Sequence, residues 1–517
     1  MVERETRKRI AALAVLLLLA AFLLSSHLDA PFDTNHIGFT GAWYSLSARN
    51  LLTWGPGRLW GCLSIESGPP VGPPRLYLDH PPMVAWVLAG VFRLFGEGEL
   101  QARTTALALS LAGAVFFFLF ALRLFRGRVG PALLGVLLAV ATPVWAFYGT
   151  LVDPHGPGLL LSMGGALWAS ARWEARRRRG DLLLLAGFLA LGCLYDWAAL
   201  LIAGPVGLWF LLFHRRRGGG EGAWTAWGTW AFLFVLLLLQ VHLAARATGG
   251  RADLLGPLAK RSALGASGFF FQGRRLSVGE VLFQVARWNW KGIPLPLTLA
   301  GFAGALLAFR DARRGEAPGA AALLWVPLLM GAAISLLFLQ AAFEHDYLQI
   351  YFAPGAGLGA AYLFDRILRA LPRRRRLLQA GALAFLVLSL GWGFHRSRSR
   401  WAAQEPGLDR YRKAGALLAS KVRPDEYLLS STGFLPPLAY YSRRKIFWEV
   451  RAPWALPRPE RIAGLRPGGI LLSGGEEDRF LEERAAERGL RRSLTLAGGD
   501  LRFLPGGGEE GGEKTGR

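Results

Sequence analysis

Long apolar runs separated by short arginine clusters are the feature that most limits how this chain can fold. A helix needs roughly 17 to 25 apolar residues to cross a hydrocarbon core. Segments of that kind lie near 10–26, 100–122, 129–151, 155–171, 182–196, 197–213, 223–245, 292–309, 320–342, 347–364 and 377–394. The expectation is an all-α polytopic membrane protein with about eleven crossings. The pair at 182–213 is short on each side, and a hairpin bent near Asp196 keeps the arginine clusters before and after it on one face. Those clusters fall on alternate loops: Arg123, Arg126 and Arg128; Arg172 with Arg176 to Arg179; Arg215 to Arg217; Arg310, Arg313 and Arg314; and Arg366 through Arg376. The short loops between them, around Asp153, Asp196 and Glu344, carry neither Lys nor Arg. The bias of basic loops toward the cytoplasm then places the N-terminus inside and the acidic loops outside.

Of the 517 residues 52% are hydrophobic, and the formal net charge is +24. Because the cations flank apolar segments, they suit orientation in a bilayer and contact with anionic lipid headgroups, not nucleic acid. The only cysteines, Cys62 and Cys193, have no metal-ligand spacing. Arg4, Arg7, Lys8 and Arg9 before the run Ile10 to Ser26 resemble a signal peptide, but no small-residue cleavage site follows, so a retained first span is expected. Residues 1–395 read as the membrane domain, with long outer loops at 27–101 and 246–291. In the first, Gly38 to Gly55 reads as an amphipathic interfacial helix with Phe39, Trp43, Leu46 and Trp54 on one side and Ser45 and Arg49 opposite. Met83 to Phe95 is apolar all round yet too short to span. From 396 to 505 strand-like Tyr427–Ser431, Lys445–Val450 and Gly469–Ser473 alternate with helix-like Leu408–Val422 and Glu476–Arg488, which predicts a small α/β domain, extracytoplasmic for an odd span count. The Gly/Glu-rich tail 506–517 reads as disordered.

Ionisable residues bordering spans are functional candidates, and the outer side collects Asp33, His36, His80, Asp153, His155, Asp196, His345 and Asp346. Asp33, at the mouth of the membrane domain, suits a general base, although on spacing alone an Asp-Thr-Asn run more often caps the helix that follows. His80 stands at the helix entrance set by Pro81-Pro82, where it could bind substrate or metal or satisfy local backbone. Lys260, Arg261, Arg274, Arg275, Arg287 and Lys291 make the second long outer loop basic, against the positive-inside pattern; as a set they could frame a donor phosphate, and singly they suit headgroup contact. His36, His80 and His345 leave a divalent-metal site open, and no nucleotide fingerprint or other cofactor motif is present.

The order of these patterns resembles the bacterial family-39 glycosyltransferases of the GT-C fold, relatives of protein O-mannosyltransferases and of the lipid A aminoarabinose transferase. The likeness covers about residues 10–395 and rests on Asp33-Thr34-Asn35-His36, Gly41-Ala42-Trp43-Tyr44-Ser45, Ala48-Arg49-Asn50, His80-Pro81-Pro82, Phe92-Arg93-Leu94-Phe95-Gly96 and Ala102-Arg103, then Tyr195-Asp196-Trp197, His345-Asp346-Tyr347 and Pro354. It implies inverting transfer of a sugar from a polyprenyl-phosphate donor to a lipid, glycan or protein acceptor at the outer face of a bacterial plasma membrane. The first-loop acid, Asp33, is the implied base. An acid of the second outer loop usually helps shape the site, which makes Asp153 the second implied catalytic residue. The family often has a His-Glu-Pro-like arrangement there, so Asp153 is shifted from the usual acid and Gly156 occupies its place. The substrate-binding set is then His36, Tyr44, Arg49, His80, His155, Asp196, Trp197, His345, Asp346 and Tyr347. The competing classes are a transporter or flippase, which would place charges near the midplane of related halves, and an inactive scaffold of the same fold. No internal repeat supports the former.

Overall fold

The computed structural model describes residues 2–68, 74–215, 218–248, 269–271, 274–404, 409–430, 434–447, 466–472, 494–496 and 501–505. Lys260, Arg261, the helix expected at 476–488 and the tail 506–517 lie outside them. Helix covers every segment read as a span, because each apolar run can satisfy its backbone only internally in lipid. Among the described residues, six helices are long and apolar enough to cross a membrane: Glu99–Leu124, Trp197–His214, Gly219–Ala247, Leu295–Arg313, Gly319–Leu337 and Pro372–Ala402. The other segments carry charged ends or are interrupted. Large apolar side chains such as Leu183, Leu377 and Leu388 point away from the protein on these helices, as lipid contact requires.

Several expected boundaries are corrected. The run 129–151 is two helices, Val129–Val140 and Pro143–Tyr148, since Pro143 has no N–H to continue the ladder and the Thr142 hydroxyl accepts the Trp145 N–H. The run 320–342 breaks at Phe338 into Trp325–Leu337 and Leu339–Glu344. The last apolar helix continues past 394 to Ala402, so the boundary expected at 395/396 falls within it. The helix His36–Trp54 is buried on both faces, Ser45 as much as Leu46, and is not an interfacial helix with one wet side. Met83–Phe95 covers it on one side and Pro436–Ser442 on another. Met83–Phe95 itself buries Val84, Leu88 and Phe92 and exposes Trp86, Leu94 and Phe95.

The helices of the membrane region close on one another through small residues, since lipid offers no hydrophobic drive for their association. Leu295–Arg313 and Phe352–Ala370 meet at Gly301, Gly304 and Gly359; a Cβ on Gly304 would stand 1.7 Å from the Gly359 carbonyl oxygen. At the arginine-rich ends, buried acids hold the cations: Asp365 binds Arg128 and Arg369, Asp181 binds Arg172, and Asp311 binds Arg310 and Arg366.

Beyond the last helix, a five-stranded sheet runs in the order 445–447, 426–430, 466–472, 501–505, 494–496. The first three strands are parallel and the rest antiparallel. Helix Arg410–Lys421 packs on Pro436–Ser442 over a core of Leu418, Leu428, Leu438, Leu471 and Phe503. This unit sits on the first long loop, residues 27–101: Ile446 N–H donates to Ser67 Oγ at 3.0 Å, Lys445 binds Glu66, and Tyr441 OH accepts the Phe32 N–H at 2.7 Å.

Candidate active site

The ends of the helices opposite the arginine clusters bring five stretches of chain together around Tyr347. Asp196 ends helix Arg179–Tyr195 in extended conformation, and its Oδ1 accepts the Ala198 N–H at 2.7 Å, which fixes the carboxylate. Its Oδ2 faces two imidazoles, His80 Nδ1 at 3.0 Å and His155 Nδ1 at 2.9 Å. The Trp197 indole N–H donates to the Asp79 carbonyl at 2.9 Å and ties the His80 loop to the same turn. His155 is held in place by an Asx turn, its N–H donating to Asp153 Oδ1 at 2.9 Å. The His155 ring lies 5.0 Å from that of His80 and 6.2 Å from Tyr347. His36, at the first turn of the helix capped by Asn35, stacks on Tyr347 at 4.5 Å, with His345 5.0 Å away.

The electrostatics follow from burial and from these neighbours. Burial alone would raise Asp196, but His155 and His80 outweigh it and hold the carboxyl below its ordinary range. Asp153, buried with weaker compensation, is pushed upward. Burial, then His345 and His155, push His36 down to about 3, so it is neutral at physiological pH. Tyr44, enclosed beside this group, is raised well above the usual phenol, first by burial and then by Tyr77 and Asp153. One ring nitrogen each of His80 and His155 and a carboxylate oxygen of Asp196 lie within 4.8 Å of one another, a donor set that could hold one divalent cation. It differs from the expected His36, His80 and His345: His36 and His345 share a separate side of Tyr347.

Next to Tyr347, Asp346 accepts from the Tyr148 hydroxyl and from Arg400 Nη2. Arg400 also lies 4.3 Å from the Phe147 ring centroid. It lines a cavity of about 230 Å³ with Lys291, Arg396 and Trp288. Lys291 is pushed down by desolvation and then by Arg287, Arg396 and Arg400, a crowding of cations that an anion would relieve. Arg400 and Arg396 were hidden from the sequence reading because the last span was ended at 394; the basic run His395 to Arg400 ahead of Trp401 was the available signal. Of the other expected phosphate ligands, Arg275 is exposed on the strand Arg274–Leu276.

Asp33 is 5% exposed and lies at the same end, three residues ahead of His36. Its Oδ1 accepts the Thr34 N–H at 2.7 Å and faces Arg410 Nε at 3.3 Å. Asn35, not Asp33, caps the helix. Arg103, fully buried between the Phe32 and Trp401 rings, donates to the Ala30 carbonyl and fixes the chain entering this loop. Arg49 is engaged elsewhere: it binds Glu97 and stacks on Tyr440 at 4.5 Å, a structural clamp between loop and C-terminal unit.

Residues 79–241 match the family described as dolichyl-phosphate-mannose-protein mannosyltransferase. No curated protein sequence matches the chain significantly. Among solved structures the chain is similar to ArnT from Cupriavidus metallidurans bound to undecaprenyl phosphate, with a TM-score of 0.63 and 16% identity over 97% of this chain and 99% of that one. It is also similar to the archaeal oligosaccharyltransferase AglB from Archaeoglobus fulgidus in complex with an inhibitory peptide and a dolichol-phosphate, with a TM-score of 0.57 and 14% identity over 90% of this chain and 69% of that one.

Proposed function

We propose that this chain, which has the GT-C fold and is related to the protein O-mannosyltransferases, transfers a sugar from a polyprenyl-phosphate donor to a lipid, glycan or protein acceptor at the extracytoplasmic face of a bacterial plasma membrane. The observation that carries the reading is the meeting, at one end of the helices, of the His80–Asp196–His155 group with the cationic cavity at Arg400, joined through Asp346 and Tyr347. The ArnT structure of this fold holds a polyprenyl phosphate.

In the proposed reaction the anomeric carbon–oxygen bond to phosphate breaks as the acceptor oxygen bonds to that carbon from the opposite face. Configuration is inverted, the acceptor proton passes to Asp33, and the polyprenyl phosphate leaves. Negative charge grows on the leaving phosphate, where Arg400, Arg396 and Lys291 stabilise it. Asp196 accepts Nδ1–H from His80, which turns that ring's Nε2 toward substrate as an acceptor, and pairs with His155 Nδ1 at 2.9 Å. A metal bound by the same three residues would instead polarise substrate oxygens.

The test is transfer in proteoliposomes loaded with a polyprenyl-phosphate sugar, read by mass spectrometry of the glycan and lipid pool. Asp33→Asn should lower the rate by about 10² to 10⁴, the usual contribution of a general base. Undiminished transfer by this variant would refute the mechanism; an unchanged glycan profile in cells lacking the gene would refute the activity.

A further inference from the structure

A cavity of about 800 Å³ lies away from the histidine cluster, at the arginine-rich end of helix Pro157–Arg176. Val2–Leu24, Glu99–Leu124 and the turn Gly319–Leu324 complete its wall. Arg9, Arg123, Arg126, Arg172 and Arg176 line it. Glu174 is the acid among the lining residues, and both of its oxygens are occupied, accepting the Gly319 and Ala320 N–H groups at 2.7 Å. Arg172 is neutralised by Asp181 at 2.8 Å. Arg126 donates only to a carbonyl, that of Glu316, at 2.8 Å. Among the described residues, Arg9, Arg123 and Arg176 have no carboxylate within ion-pair distance. The rest of the wall is greasy: Leu13, Phe118, Leu119, Leu122 and Trp168.

A cavity with unneutralised guanidinium groups at its rim and an apolar wall along its helices fits an anionic amphiphile. We propose that it binds an anionic glycerophospholipid, with the phosphate among Arg9, Arg123 and Arg176 and the acyl chains along Leu13 and Leu119. A free phosphate would leave the apolar wall uncovered, and a zwitterionic lipid would leave the cations without net compensation. The site stands apart from the transferase reading, because it lies at the other end of helix Pro157–Arg176, whose 20 residues span about 30 Å. The occupied site fastens the first helix to Glu99–Leu124 and Pro157–Arg176, whose opposite ends lead into the outer loops.

The experiment is native mass spectrometry of the full chain in detergent, titrated with dioleoyl phosphatidylglycerol, dioleoyl phosphatidylcholine or inorganic phosphate. Phosphatidylglycerol should be retained and phosphatidylcholine lost at equal activation. Each cation near the headgroup contributes roughly a factor of five, so Arg123→Gln with Arg176→Gln should weaken phosphatidylglycerol about thirtyfold. Arg9→Gln, at an exposed position on the first helix, should weaken it about fivefold and serves as the second readout if the double variant is poorly folded. Equal phosphatidylglycerol affinity in wild type and variants would overturn the proposal. So would displacement of the lipid by millimolar inorganic phosphate, which would show a site for the free anion. Sugar transfer in phosphatidylcholine liposomes should be the same for wild type and variants, so failure of this proposal leaves the transferase reading untouched.

Discussion

Asp196→Asn tests how the candidate site is organised, because the change is nearly isosteric and its consequence can be worked from the hydrogen-bond pattern. The carboxylate accepts the Ala198 N–H on Oδ1 and His80 Nδ1–H on Oδ2, and His155 Nδ1 lies at ion-pair distance, 2.9 Å, from Oδ2. A carboxylate only accepts, so a neutral His80 carries its proton on Nδ1 and presents a bare Nε2. In the variant the amide oxygen can keep the Ala198 contact, which turns the NH₂ group toward the two rings. That group donates, so a neutral His80 moves its proton to Nε2, and its atom facing substrate changes from acceptor to donor. Fold and melting temperature should change little, by about 1 kcal/mol, since the contacts are re-made. Transfer should fall by about 10² to 10⁴, the cost of an imidazole presented in the wrong tautomer. Because Asp196 is held below its ordinary range, its contribution to stability is complete above the unfolded carboxyl pKa of about 4 and fades only as pH falls further. Wild type should therefore keep its melting temperature between neutral pH and about pH 5 as far as this group is concerned. The assay is single-turnover transfer in proteoliposomes beside a thermal melt. A variant that melts normally and transfers within about threefold of wild type, well short of a general-base loss, would refute the tautomer argument.

Arg400→Gln should raise the donor KM by about ten- to a hundredfold, the value of one charge-assisted hydrogen bond to phosphate, with Arg400→Lys recovering part of it; donor titration checks both. Gly304→Ala should cost about 1 to 3 kcal/mol and lower the melting temperature, because its Cβ would enter the Gly359 backbone. Gly228→Ala, with no atom within 4 Å of the added carbon, should be neutral or mildly stabilising in the same melt.

The helices were legible because an apolar run of sufficient length has few alternatives to helix in lipid. Their interruptions were less so. Pro143 could have been read as the break it makes, whereas the kink at Phe338 has no breaker residue and depends on packing. The candidate site was legible as a list and not as a geometry: nothing in the local sequence says that His80 meets Asp196 116 residues away. The expected metal trio took three histidines by residue type, while the fold set His36 and His345 against one side of Tyr347 and His80 and His155 against Asp196. The partners of Arg49 were hidden for a related reason, since Glu97 and Tyr440 come from a loop turn and from the C-terminal unit.

That C-terminal unit is not an appendage. It touches the first long loop at separated points, through Arg410 to Asp33, Tyr441 to Phe32 and Glu99, Lys445 to Glu66, and Arg443 to Glu97. The helix leading to it adds a further link within one turn. Arg400 reaches Asp346 beside the cationic cavity, while the next residue, Trp401, packs on His27 at 4.7 Å and on the buried Arg103 that fixes the Asp33 loop. A rigid helix cannot move one of these neighbours without the other. The cation assigned to the donor phosphate and the support of the acid assigned to the acceptor proton therefore share a single backbone element, which would keep the two sides of the reacting carbon in register.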